Sequence, residues 1–120
     1  MTMISEFIFK EASISVAGDY YQILFHDGLD TEDEPYFMIQ AQCEFPDGSD
    51  CYFESHREEL IGHYKPISAS LSKNVLRVTY GEHSTNSVEV RFSATDVEYN
   101  HLVFTLTEMI PQITIETNNS

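Results

Sequence analysis

The chain has few basic residues, and this scarcity limits the partners that it can bind. It carries six Lys and Arg against twenty Asp and Glu, which gives a formal net charge of −14 at pH 7. Affinity for nucleic acid comes mainly from Lys and Arg that neutralise phosphates, and anionic membranes attract basic segments in the same way. A nucleic-acid-binding function is therefore excluded, and docking on an anionic membrane is disfavoured.

Long apolar runs are also missing. No run approaches the roughly eighteen residues that a membrane-spanning helix needs. Residues 1–6 contain no basic segment, apolar stretch or small-residue cleavage site of the kind that marks a secretory signal. We therefore expect a cytoplasmic protein.

Cysteine is scarce as well. The two cysteines, Cys43 and Cys51, flank a predicted turn and are close enough in sequence to be bridged. In a chain without a secretory signal, however, thiols are usually reduced and pack as small hydrophobic groups. Reduced thiols are expected here, with a disulfide as the alternative.

Apolar residues, by contrast, are plentiful enough for a core. They make up 42% of the 120 residues and include eight Phe and seven Tyr. A chain of this length buries roughly two-thirds of the surface that its unfolded form exposes, which suffices for one domain. We expect a single globular domain over residues 1–117 and a frayed tail at 118–120.

Most of the chain has the residue pattern of β-strands separated by short polar turns. Residues 36–43 are the most apolar stretch and predict a central strand, and a turn at 46–49 leads into its partner. Residues 55–62 fit either one helical turn or a solvated connection. The segments with strand-like alternation or β-branched and aromatic enrichment are 12–17, 20–26, 36–43, 51–54, 67–71, 75–80 and 88–92, with a short edge strand at 112–116.

One segment changes to helical periodicity. Thr95 and Glu98 form a capping box, and apolar residues then recur at helical spacing over 99–110 until Pro111 ends the run. The sequence therefore predicts an α+β fold. A predominantly antiparallel sheet, meander-like or sandwich-like, would carry one C-terminal amphipathic helix on a face.

Acidic residues are concentrated in one part of the chain. Residues 27–59 contain eleven acids and a single base, Arg57. Such a patch accelerates association with a cationic partner, and Tyr beside Asp or Glu suits the recognition of Arg and Lys. Tyr side chains that pack on a sheet face explain the same pattern equally well. The candidate partner-binding residues are Asp27, Asp30, Glu32, Asp33, Glu34, Asp47, Asp50, Tyr52, Glu54, Glu58 and Glu59.

Motifs for catalysis and for metal binding are weak. Cys43, Cys51, His56 and His63 have the residue types of a zinc site but lack a compact Cys-x-x-Cys pair. The acidic loop 27–34 lacks the ligand order of a calcium loop, and Glu58 and Glu59 point to different faces as neighbours in sequence. We expect no enzyme, no cofactor and no metal. Buried thiols, surface imidazoles and a solvated loop are the favoured explanations.

From residue 34 onwards the chain resembles the bacterial polymorphic-toxin immunity proteins, specifically immunity protein family ten. The resemblance covers about two-thirds of the chain, including the terminal helix. The segments that carry it are Pro35-Tyr36-Phe37-Met38-Ile39-Gln40, Asp50-Cys51-Tyr52-Phe53-Glu54, Ile67-Ser68-Ala69-Ser70-Leu71-Ser72, Asn74-Val75-Leu76-Arg77-Val78 and Val88-Glu89-Val90-Arg91-Phe92.

The resemblance implies a cytoplasmic inhibitor, encoded beside a toxin as in toxin–antitoxin and contact-dependent growth inhibition systems. It would bind the cognate toxin tightly and need no cofactor. Many such toxins are basic nucleases, and an acidic surface would block their active cleft. Two other functions stay open: a non-catalytic ligand-binding or scaffold module of a cytosolic assembly, and a small metal-dependent enzyme.

Overall fold

The computed structural model describes residues 3–18, 20–28, 35–42, 51–81 and 85–116. Within these residues the helix α1 spans Asp96–Met109, and a 3₁₀ turn spans Glu58–Leu60. The strands are β1 (Met3–Ile8), β2 (Glu11–Ala17), β3 (Tyr20–His26), β4 (Tyr36–Gln42), β5 (Cys51–Ser55), β6 (Gly62–Tyr64), β7 (Pro66–Ser72), β8 (Val75–Gly81), β9 (Thr85–Arg91) and β10 (Thr114–Ile115).

The strands form two five-stranded sheets. Sheet A has the order β1-β9-β8-β7-β10, and sheet B has the order β2-β3-β4-β5-β6. Sheet B is a meander in which every pair is antiparallel. Sheet A contains the antiparallel meander β7-β8-β9, flanked by β1 and β10, which both pair in parallel. The predicted α+β fold with a mostly antiparallel sheet is confirmed.

A glycine turn sets the register of the first hairpin in sheet B. Gly18 has a φ of +61° between β2 and β3, a conformation that L side chains rarely adopt. The turn that it enters brings Ile14 opposite Ile23, and Ile23 in turn lies opposite Ile39 of β4. One face of sheet B is thereby lined with apolar side chains that must be buried.

The two sheets meet in one core. Phe53 of β5 stacks on Tyr80 of β8, with ring centroids 3.7 Å apart and planes 2° apart. Phe25 of β3 lies 5.2 Å from Phe92, which directly follows β9. Because each pair joins sheet A to sheet B, the sheets pack face to face as a sandwich.

The helix is held at its start and packed along one side. The Thr95 hydroxyl accepts from the Glu98 N–H at 3.2 Å, and the Glu98 carboxylate accepts from the Thr95 N–H at 2.7 Å, so the predicted capping box is present. Leu102 and Leu106 are buried in the core, and α1 contacts β4. The helix therefore joins the core of the sandwich through its apolar side.

Segment 55–62, which fits either a helical turn or a solvated connection by sequence, contains the 3₁₀ turn, and Tyr80 anchors this turn. The Tyr80 hydroxyl donates to the Leu60 carbonyl oxygen at 2.8 Å, and Leu60 itself is 1% exposed. Burial raises the pKa of Tyr80 well above its ordinary value. The hydroxyl therefore remains a donor, and the turn is fixed to sheet A.

Local patterns did not indicate every feature of the fold. The parallel pairing of β1 with β9, the parallel pairing of β10 with β7, and the three-residue strand β6 have no counterpart among the predictions. The turn at 46–49 and the tail at 118–120 lie outside the described residues. Within the described part of the chain, no helix has the length and apolar character needed to cross a membrane.

Candidate partner-binding face

The outer face of sheet B presents an acidic residue surrounded by aromatic side chains. Burial alternates along β5, so that Phe53 lies in the core while Tyr52 and Glu54 point outward and are half-buried. The register places Met38 of β4 opposite Glu54, and Gln40 opposite Tyr52. Two of the predicted partner-binding residues are thus neighbours on one surface.

Two tyrosines hold the Glu54 carboxylate. The Tyr52 hydroxyl donates to Oε1 at 2.8 Å, and the Tyr36 hydroxyl donates to Oε2 at 3.0 Å. We call these three residues the Glu54 cluster. Within the described part of the chain, Glu54 makes no ion pair. The carboxylate is therefore oriented by neutral donors, and its charge is left uncompensated there.

The electrostatics of the Glu54 cluster keep both hydroxyls protonated. Desolvation, together with the hydrogen bond to Glu54, raises the pKa of Tyr36 to about 12. The hydrogen bond to Glu54 is the main cause that raises the pKa of Tyr52, with desolvation adding to it. At neutral pH both tyrosine hydroxyls are therefore protonated and donate to the Glu54 carboxylate.

Two histidines extend the aromatic surface. The ring of His63 on β6 lies 4.8 Å from the ring of Tyr52, and the ring of His56 lies 6.4 Å from that of Tyr36. His56 Nδ1 also lies 3.3 Å from the Tyr36 amide nitrogen. Met38, opposite Glu54, is only 9% exposed. The carboxylate therefore lies beside an apolar side chain, with an aromatic pair on each flank.

The single base of the acidic segment is already paired. Arg57 donates from Nε to Glu59 Oε1 at 2.7 Å, with Nη2 at 2.6 Å from the same oxygen, and Nη1 donates to the Ser5 hydroxyl at 3.2 Å. A backbone hydrogen bond and the one from Arg57 lower the pKa of Glu59. Glu59 thus has an internal counter-ion, whereas its neighbour Glu58 is exposed.

Asp27 has a local structural contact. Its Oδ1 accepts from the Lys10 N–H at 2.9 Å, which ties the end of β3 to the connection between β1 and β2. The remaining predicted residues, Asp30, Glu32, Asp33, Glu34, Asp47 and Asp50, lie outside the described residues. Among the described candidates, the structure brings together Tyr52 and Glu54.

Sequence reasoning omitted Tyr36 and His63 from the candidate site. Tyr36 lies just after the acidic loop 27–34 in the sequence, and its hydroxyl donates directly to Glu54. His63 pairs with Tyr52 through β6, a strand too short to be recognised from periodicity. Tyr64, which follows Glu59 by five positions in the sequence, packs against the core, with its ring 5.6 Å from that of Tyr80.

The geometry of the described residues gives little support to the zinc and calcium sites that the sequence leaves open. Among the described residues, no group of three or more His, Cys, Asp or Glu side chains is arranged to hold a metal ion. Cys51 is buried with its Sγ 3.9 Å from the Met109 carbonyl oxygen. Cys43, and with it both the disulfide and the complete four-ligand zinc set, lies outside the described residues, as does most of the acidic loop.

Neither the known family models, nor the curated proteins, nor the solved structures contain a match to the chain.

Proposed function

We propose that this protein is a cytoplasmic immunity protein, which neutralises a cationic bacterial toxin by binding it through the outer face of sheet B. The observation that carries the proposal is the Glu54 carboxylate, held by two tyrosine hydroxyls and without an internal counter-ion in the described part of the chain. The inhibitor acts by binding alone, without catalysis and without a cofactor.

Charge complementarity supports a cationic partner. A net charge of −14 creates a long-range field that accelerates encounter with a basic protein, and aromatic side chains at the contact supply apolar area with hydrogen-bonding groups. A basic nuclease fits this description because its substrate cleft is itself lined with Lys and Arg. Occupying that cleft with carboxylates excludes the nucleic acid both sterically and electrostatically.

The proposal is tested by protection of bacterial cells. The toxin encoded beside this gene is expressed with and without the chain, and growth with the chain is the expected result. The purified pair should also form a stable complex that lacks nuclease activity. An isolated gene with no neighbouring toxin, or a toxin that kills equally well in both cultures, contradicts the proposal.

A charge-matched pair of variants locates the binding surface. Glu54→Gln should impair protection, whereas Glu6→Gln should not, because Glu6 is an exposed residue on β1 at the edge of sheet A. Both variants remove one negative charge, so a difference between them cannot come from net charge. Equal protection by both would move the interface away from the Glu54 cluster.

A further inference from the structure

We infer that the Glu54 cluster recognises an arginine side chain of the partner, in preference to a lysine. The inference rests on the proposed function in that the arginine is one displayed by the toxin. It goes further by naming the chemical group that the site binds: one guanidinium fork, received end-on by both oxygens of Glu54.

The Glu54 carboxylate retains hydrogen-bonding capacity on both of its oxygens. Each carboxylate oxygen can accept about two hydrogen bonds. Oε1 accepts one from Tyr52 and Oε2 accepts one from Tyr36, so each oxygen keeps capacity for one more donor. A guanidinium presents two parallel N–H groups that match two carboxylate oxygens, whereas an ammonium is a compact point charge.

The Glu54 carboxylate is also pre-organised. Tyr52 and Glu54 lie two residues apart on β5, and Tyr36 reaches the same carboxylate from β4. The carboxylate is thus held from two strands of a sheet before any partner arrives. A planar, two-point ligand benefits from this fixed orientation because less rotational freedom is lost on binding. The compact ammonium of a lysine gains less from a fixed carboxylate orientation.

Aromatic and apolar side chains surround the Glu54 carboxylate. The Tyr52–His63 and Tyr36–His56 ring pairs flank it, and Met38 lies opposite it in the register. A guanidinium stacks on aromatic faces and is more weakly hydrated than an ammonium, so it loses less on entering such surroundings. Among the described residues no ion pair involves Glu54, and Arg57 is paired with Glu59 instead.

The experiment compares hexa-arginine with hexa-lysine by isothermal titration calorimetry against the full chain. The net charge attracts both peptides, so the measurement uses about 0.1 M salt, where charges act over roughly 10 Å. We expect the arginine peptide to bind about tenfold more tightly, as bidentate pairing implies. Equal affinities, or tighter binding of the lysine peptide, would overturn the inference.

Three variants assign the preference to the cluster. Glu54→Gln should reduce the arginine-to-lysine affinity ratio to about one, whereas Glu6→Gln, with the same charge change, should leave it intact. Tyr36→Phe with Tyr52→Phe keeps the charge and removes the hydroxyls that position it, so the ratio should fall part of the way. Circular dichroism spectra are the control that each variant is folded. A preference that survives Glu54→Gln overturns the assignment.

The two proposals fail in different ways. An arginine preference that depends on Glu54, in a chain that protects against no toxin, would sustain this inference and defeat the immunity function. Protection that is lost in Glu54→Gln, without any preference between the peptides, would sustain the immunity function and defeat arginine recognition.

Discussion

The outer faces of the two sheets differ in how their charges are compensated. On sheet A, the Glu89 carboxylate lies between two arginines, with Oε1 2.8 Å from Arg77 Nε and Oε2 3.5 Å from Arg91 Nη2. The hydrogen bond from Arg77 is the main cause that lowers the pKa of Glu89. On sheet B, Glu54 is held by neutral hydroxyls instead.

This difference separates a charge used for internal structure from a charge available to a partner. The negative charge of a carboxylate between two guanidinium groups is already compensated, so an incoming cation gains little there. A carboxylate oriented by neutral donors has no paired cation, so an incoming cation gains more there. The position of counter-ions, rather than the number of acids, is therefore the basis on which we propose the outer face of sheet B as the binding face.

The largest expected effect comes from removing a core contact between sheet A and sheet B. Phe53→Ala removes a fully buried ring that stacks on Tyr80, and should lower the free energy of unfolding by about 3–5 kcal/mol. Urea denaturation measures the loss. Its neighbour Tyr52 points outward, so Tyr52→Ala should cost far less stability and weaken partner binding instead. Similar losses of stability in both variants would contradict the assignment of faces on β5.

A similar contrast applies to the two sides of α1. Leu106 is 0% exposed and Phe104 is 59% exposed. Leu106→Ala should lower the free energy of unfolding by about 2–5 kcal/mol, whereas Phe104→Ala should stay within about 0.5 kcal/mol. Thermal and urea unfolding measure both. A large loss in Phe104→Ala alone would mean that the apolar side of the helix is misassigned.

Much of the fold follows from local patterns in the sequence. Alternation over 75–80 reflects the burial of Leu76, Val78 and Tyr80 on one face of β8. The capping box at Thr95 marks the start of α1 because both of its hydrogen bonds lie within four residues. Signals of this kind depend only on neighbours in the chain, so they can be recognised without knowledge of tertiary structure.

The division of strands between sheets could not be predicted in this way. β1 pairs with β9, so that Phe7 lies opposite Val90 across most of the chain, and no periodicity encodes that partnership. The Glu54 cluster could not be predicted for the same reason. Tyr36 and Glu54 are 18 residues apart, and the β4–β5 register that brings them together is a property of the folded sheet. Sequence alone indicates aromatic and acidic residues in this region, but not their pairing.

The next prediction separates the acidic loop from the Glu54 cluster. Replacing Asp30, Glu32, Asp33 and Glu34 with amides should change the free energy of unfolding by less than about 1 kcal/mol, or raise it, because like charges repel. Association with the cationic toxin should slow at low salt and become less salt-dependent. Stopped-flow association at two ionic strengths measures this. Glu54→Gln should act mainly on the dissociation rate, as expected for a direct contact.

Unchanged association of the loop variant at both ionic strengths would remove the loop from the mechanism and leave the Glu54 cluster as the proposed contact. A faster dissociation in the loop variant would indicate that these carboxylates touch the toxin directly. The loop side chains lie outside the described residues, so the kinetics themselves assign their role.

The smallest expected effect appears only at alkaline pH and tests the cluster without a partner. The pKa of Tyr36 is raised from 10.0 to about 12 in the folded protein, so the folded state holds this proton more tightly than the unfolded state. Its contribution to stability is therefore complete below pH 10 and is lost as the pH rises towards 12. Tyr36→Phe should lose less stability than the wild type across this window, measured by urea unfolding at successive pH values.

A second alkaline measurement tests the hydrogen bonds to Glu54. In Glu54→Gln, ultraviolet titration of tyrosinate should show part of the tyrosine ionisation moving to lower pH, because the acceptor and its charge are gone, whereas Glu6→Gln should leave the titration unchanged. Identical titrations of wild type and Glu54→Gln would mean that the hydroxyls of Tyr36 and Tyr52 do not donate to Glu54 in solution, and the contrast between the two faces would then lose its basis.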